Sequence, residues 1–309
     1  MIYNNILEAM GHTPMVKLQR MVDEDCADIY VKFEGINVGG SIKTRTAYEM
    51  ILAAEKEGLI KEDTIIVEPT SGNQGIGLAL VGAVRGYHTV IIMPDSVSEE
   101  RRKLVRHYGA DVKLIHDAGD IGACIDECLK TALRMQEKDP RVFVPQQFAN
   151  INNVKAHKNH TALEIMEQVA GPIDGFCSGI GTGGTITGIG ESLRAQYPGI
   201  EIWAVEPENA AILAGGTIGT HLQMGIGDGI IPDILNQQIY DNIYVISDAE
   251  ALDTAKRLAR EEGLMCGISS GTNVAAALKL AKKLGPGKTV VTVLPDTAER
   301  YFSTPLFEE

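Results

Sequence analysis

From about residue 64 the chain alternates between short runs of β-branched residues and longer helical segments. That alternation limits its possible folds more than any other feature. TIIVEP (64–69) reads as a strand, GIGLALVGAVRG as a helix and YHTVIIMP as a strand. Ser96 begins S-V-S-E, a capping-box pattern that predicts the start of the helix SEERRKLVRHYG. DVKLIHD, CIDECLKTALRMQEKD and RVFVPQQF continue as strand, helix and strand. A second series runs through GFCSGI, a helix opening after GTGG, IEIWAVEP, helices at AEALDTAKRLAREEG and TNVAAALKLAKKLG, and TVVTVLP. Strands joined by helices require parallel sheets with helical crossovers. Two such series predict two α/β units, and 309 residues suffice for both. No repeat or low-complexity linker separates them, so they are expected to share a wide interface whose cleft takes the ligand.

Charge and cysteine usage exclude several classes. The net charge is -13, which repels nucleic acid and anionic lipid. The five cysteines are odd in number and match no disulfide scaffold. Cys124 and Cys128 stand one helical turn apart without a nearby His or Cys partner, so helix packing is expected there, and no metal site. This usage reads as reduced and cytosolic. The N-terminus lacks a basic region followed by an apolar one, and no apolar run reaches about 18 residues, so neither a signal peptide nor a membrane span is expected.

Four small, polar, glycine-rich segments can carry chemistry: NVGGSIKTR (37–45), EPTSGNQG (68–75), GIGTGGTITG (179–188) and GISSG (267–271). GIGTGGTITG follows a strand and opens a helix. Its glycines let backbone N–H groups converge on an anion, and the helix N-terminus adds positive potential, so a phosphate suits it. Gly179, Gly181 and Gly184 also spell G-x-G-x-x-G, and Glu206 ends the next strand, which keeps a nicotinamide-dependent oxidoreductase open as an alternative. Without a ligand the segment is a tight turn. In NVGGSIKTR, Lys43 stands just before a helix. The helix N-terminus and partial burial would both lower its pKa, as a Schiff-base lysine requires, whereas a lysine of this kind is ordinarily solvated. EPTSGNQG offers Thr70, Ser71, Asn73 and the backbone around Gly72 to a carboxylate, or is a plain turn. GISSG alone says little.

Together the four segments resemble the cysteine synthase (O-acetylserine sulfhydrylase) family of fold-type II pyridoxal phosphate enzymes. The resemblance runs nearly end to end through GHTPMVKL, GGSIKTR, EPTSGNQGIGLA, SEERRKLVRHYGA, PQQF, GTGGTITG, AVEP, GISSG and LPDTAERYFST. It implies two three-layer α/β/α domains like the tryptophan synthase β chain, with the active site between them. Residues 1–47 and 150–309 would form the larger, cofactor-binding domain and 48–149 a smaller mobile one. Lys43 would carry pyridoxal 5'-phosphate and move the α-proton. Asn73 would bond the ring hydroxyl. Gly181, Thr182, Gly183, Gly184 and Thr185 would hold the phosphate. Thr70, Ser71, Gly72, Asn73, Gln74 and Gln147 would line the substrate subsite, and Ser269 would face the pyridine nitrogen. A neutral serine there leaves the ring a weaker electron sink than an acid would, which favours loss of a β-leaving group to an α-aminoacrylate over transamination.

Three positions depart from the family pattern. Gln74 replaces a usual threonine and is long enough to reach the nucleophile or substrate. Asp228, in GIGDGIIP, replaces a small apolar residue beside the space above Cβ; Thr44, after Lys43, differs at a variable position. A carboxylate at 228 would disfavour HS⁻ and serve as general base on water or a thiol. Two reactions are therefore expected of this family: O-acetylserine with sulfide giving cysteine, or cysteine releasing hydrogen sulfide and giving serine or lanthionine. Alternatively, Asp228 is a solvated loop residue. The chain ends soon after YFST, so no appended regulatory domain and no haem extension are expected. The resemblance implies a homodimer, with serine acetyltransferase as a candidate partner. A catalytically silent member gripping the tail of that partner is the third class.

Overall fold

The computed structural model describes residues 2–70, 72–119 and 121–308. Strand β1 (Met15–Lys17) pairs antiparallel with β2 (Asp28–Phe33), and the chain then enters helix α1 (Lys43–Lys56). Strand β3 (Ile65–Pro69), helix α2 (Asn73–Arg85), strand β4 (His88–Pro94), helix α3 (Glu99–His107), strand β5 (Asp111–Ile115), helix α4 (Ile121–Lys138) and strand β6 (Val142–Phe143) build a four-stranded parallel sheet ordered β5-β4-β3-β6. Helices α5 (Ile151–Ala156) and α6 (Ala162–Gln168) follow, joined by a π turn at 157–161. Strand β7 (Gly175–Gly179), helix α7 (Gly184–Gln196), strand β8 (Glu201–Pro207), strand β9 (Asn242–Ile246), helices α8 (Asp248–Glu262) and α9 (Ile268–Leu284) and strand β10 (Thr289–Leu294) complete a six-stranded sheet ordered β1-β2-β10-β7-β8-β9. The central strands are apolar almost throughout, as strands covered on both faces must be. In β10, Val290, Val291, Val293 and Leu294 are all fully buried.

The alternation predicted from the sequence is present, with four differences. The strands β1, β2 and β9 escaped it: three residues are too few for a pattern, and β2 and β9 carry polar residues among the apolar ones. RVFVPQQF forms only two residues of strand, because Pro145 lacks a ladder donor and Gln146 turns to φ 56°. The predicted capping box at Ser96 does not form. The N-cap is Ser98, and the Ser96 hydroxyl donates to Asp117 at 2.7 Å instead. Helix α9 starts at Ile268, so Ser269 lies in a helical first turn. Among the described residues no helix is long and apolar enough to cross a membrane.

A buried ionic cluster fixes the start of α1. The Arg45 guanidinium donates Nε to Glu34 Oε2 at 2.8 Å and Nη1 to Glu164 Oε1 at 2.6 Å. Lys32 Nζ reaches Glu164 at 2.8 Å and the Thr13 carbonyl at 2.5 Å. Two cations thus balance two carboxylates and join β2, α1, α6 and the N-terminal segment. Removing one partner strands the others without solvent. Arg45→Met is expected to destabilise the protein by about 3–5 kcal/mol in denaturant unfolding. A loss below about 1 kcal/mol would show that the cluster does not hold α1.

Candidate active site

The strands of both sheets point their carboxyl ends at one cleft of about 1060 Å³, solvent at its mouth included. This is where open α/β sheets place ligands. Lys43, the first residue of α1, lines it. Helices α1 and α2 cross so closely that a Cβ on Gly77 would lie 3.0 Å from the Lys43 carbonyl. The contact sets Lys43 beside the first turn of α2. Burial lowers the Lys43 pKa, opposed by the charge of Asp228 across the cleft. Burial, rather than the helix end, is the main cause.

Thr70, Gly72, Asn73, Gln74 and Gln147 also line the cleft, while Ser71 lies outside the described residues. The Asn73 amide is held from behind by the chain's last segment. Its Nδ2 donates to Asp296 Oδ2 at 2.6 Å, and Arg300 Nη1 donates to its Oδ1 at 2.5 Å. Tyr301 donates its hydroxyl to the same Asp296 oxygen at 2.6 Å. Asn73 keeps a second N–H and a second lone pair for a ligand. Gln74 is buried, paired with Thr46 at 2.7 Å, and its Nε2 has no partner among the described residues.

The β7–α7 turn forms a cradle. Gly183, at φ 77°, is the N-cap of α7. Side chains are excluded on either side: a Cβ on Gly181 would meet the Gly225 carbonyl at 2.5 Å, and one on Gly184 would meet Asn153 Oδ1 at 2.1 Å. Gly181, Thr182, Gly183 and Thr185 face the cleft, whereas Gly184 packs behind them against Asn153. The first-turn N–H groups of α7 lack intrahelical acceptors, so this cradle suits a phosphate. The fully buried His157 supports it, with Nε2 3.3 Å from Thr185 Oγ1 and Nδ1 3.1 Å from Thr161 Oγ1. Burial and the nearby cations push His157 well below its ordinary pKa. One of two histidines in VKAHKNHT, it gave no signal in the sequence; neither did Asp296 or Arg300, far from Asn73 along the chain.

Glu206 does not suit a ribose. Its carboxylate accepts the N–H groups of Leu213 and Ala214 at 2.9 and 3.0 Å. Glu68, at the matching position of β3, does the same for Gln146 and Gln147, both at 2.9 Å. Asp228 lines the cleft, its Oδ2 beside Gly181; burial raises its pKa, opposed by Lys43, His221 and Arg101. Ser269, buried in α9, also lines the cleft.

A model of the family described as pyridoxal-phosphate dependent enzymes matches residues 6–296, and the chain belongs to that family. Within it the chain is a cysteine synthase-type β-replacement enzyme. It is 48% identical to cysteine synthase of Staphylococcus aureus over 305 residues, 98% of this chain and 97% of that one. A crystal structure of a lysine-to-alanine variant of O-ureido-L-serine synthase with O-ureido-L-serine bound superposes with a TM-score of 0.94 at 42% identity, covering 100% of this chain and 94% of that one. A hydrogen sulfide-producing enzyme from Fusobacterium nucleatum superposes with a TM-score of 0.92 at 39% identity, covering 97% and 100%. The cofactor is pyridoxal phosphate, and the glycine cradle and the buried lysine fit it.

Two predictions follow from this geometry. Gly184→Ala forces a Cβ onto Asn153 and opens the cradle; cofactor affinity, followed by the visible absorbance on dilution, is expected to fall more than about 10-fold, and unchanged affinity would exclude the cradle as the phosphate site. Glu68 concerns pH. Burial pushes its pKa up to about 7 from an ordinary 4.5, against the pull of the two N–H groups. Between those values the folded chain binds the extra proton, so stability falls as pH rises, by up to about 3 kcal/mol. The stability difference between Glu68→Gln and the native chain should shift towards the variant by that amount from pH 5 to 8. A difference constant with pH would refute it.

Proposed function

We propose that the enzyme replaces the β-substituent of a β-substituted L-alanine, and that its cleft favours L-cysteine as donor, releasing hydrogen sulfide to leave serine with water or lanthionine with a second cysteine. Bound pyridoxal phosphate supplies the electron sink that acidifies the Cα proton. Lys43 would carry it until the substrate's amine takes the lysine's place, and the released Nζ, kept from protonation by burial, would then take that proton. The N–H and hydroxyl groups of Thr70, Ser71, Gly72 and Asn73, with Gln147, take the substrate carboxylate. Asn73, steadied by Asp296 and Arg300, bonds the ring hydroxyl. Ser269 places a neutral hydroxyl at the ring nitrogen, and Gly181–Thr185 take the phosphate. Residues 48–149 close over the substrate as a mobile domain, and the working form is a homodimer.

Asp228 carries the choice of donor. Its carboxylate lies across the cleft from Lys43 and beside the phosphate cradle, where it can take a proton from water or a thiol and repel HS⁻. The similarity to a hydrogen sulfide-producing enzyme supports this reading, and the similarity to cysteine synthases supports the same chemistry with O-acetylserine as donor and sulfide as acceptor. Incubated with cysteine alone, the native enzyme should release sulfide, and Asp228→Asn should release it at least about 10-fold more slowly while still making cysteine from O-acetylserine and sulfide. No sulfide from cysteine, alongside rapid synthesis from O-acetylserine, would reverse the assignment.

A further inference from the structure

The sequence V-E-P occurs twice, at Val67–Pro69 and Val205–Pro207, each at the carboxyl end of a strand. Both glutamates are buried, and both accept two consecutive backbone N–H groups from a later loop. The Glu206 clasp organises the loop at 213–214. The Glu68 clasp lies directly under the cleft. Glu68 Oε2 takes the Gln146 N–H and Oε1 takes the Gln147 N–H, each at 2.9 Å. Glu68 is fully buried, and no charged side chain pairs with it among the described residues. Gln146 stands at φ 56°, a conformation non-glycine residues seldom adopt. That backbone must be held by its surroundings, at a cost of about 1–3 kcal/mol. The strand that carries Glu68 runs straight on into Pro69 and Thr70, so one buried carboxylate ties the 70–74 loop to the backbone of Gln147.

We propose that Glu68 is a positioning residue that joins the two halves of the substrate-carboxylate subsite, holding Gln147 in register with the Thr70–Asn73 loop. This rests on the reading that Gln147 receives that carboxylate. Glutamine at 68 keeps the shape but presents an NH₂ group to one of the two N–H donors, so one half of the clasp is lost. Aspartate keeps the charge but is one methylene short of spanning both donors.

The test uses holoenzyme titrated with L-cysteine, and with cysteamine, which lacks the carboxylate, read by the shift of the visible cofactor band. Glu68→Gln should weaken cysteine binding about 10-fold, with Glu68→Asp intermediate, while cysteamine binding stays within about twofold. Gln147→Ala should weaken cysteine similarly, and the double variant Glu68→Gln/Gln147→Ala should be no weaker than Gln147→Ala alone, because both act through one contact. If Gln147→Ala weakens cysteine but neither Glu68 variant does, the positioning role is wrong. Equal losses for cysteine and cysteamine, or additive losses in the double variant, would reduce Glu68 to a general structural role and also overturn it. Should Glu68→Gln not fold, the Asp variant decides by the same ligand comparison. Cysteine binding unchanged in Gln147→Ala would overturn the underlying carboxylate reading instead.

Discussion

The guanidinium of Arg45 sits out of water between Glu34 and Glu164, two residues beyond Lys43, the lysine proposed to carry the cofactor. That arrangement fixes where α1 begins, and α1 is the element shared by both sheets. It packs on α2 of the four-stranded unit and on α5 beside the six-stranded one. A buried charge cluster is costly unless every member is satisfied. Here two cations and two carboxylates, with the Thr13 hydroxyl and carbonyl, meet that condition. The lysine at the helix start is thereby held at one place, without having to be tied down by its own side chain.

Close backbone approach does the rest of the positioning. Gly77 lets α2 lie against the Lys43 carbonyl, and Gly181 and Gly184 let the turn before α7 press against Gly225 and Asn153. The contacts at Gly181 and Gly184 exclude even a methyl group and that at Gly77 is tight for one, so the glycines set distances that larger residues would lengthen. Two buried carboxylates, Glu68 and Glu206, then gather backbone N–H groups from loops remote in sequence. The site's precision therefore comes largely from main-chain contacts, and its chemistry from a few side chains set on them.

Much of this was legible in the sequence. The parallel sheets announced themselves through runs such as TIIVEP and TVVTVLP, and the tight glycine turn before α7 through GTGGTIT. What was not legible depends on long-range contact. Asp296 and Arg300 act on Asn73 over more than 220 residues, and His157 meets Thr185 only because a π turn aims it there. The strands β1 and β9 are short edge strands whose pattern is weak because only one neighbour pairs with each. The capping box failed for a local reason: Ser96 had a better partner in Asp117. Glu206 looked like a ribose ligand from its spacing, but its oxygens serve the adjacent loop.

These elements meet at Lys43, where we propose the cofactor is carried. The most direct measurement is borohydride reduction of the yellow holoenzyme followed by peptide mapping of the phosphopyridoxyl group. A single labelled peptide, modified at Lys43, is expected. A label on another lysine, such as the buried Lys32, or no covalent label in an active preparation, would contradict it.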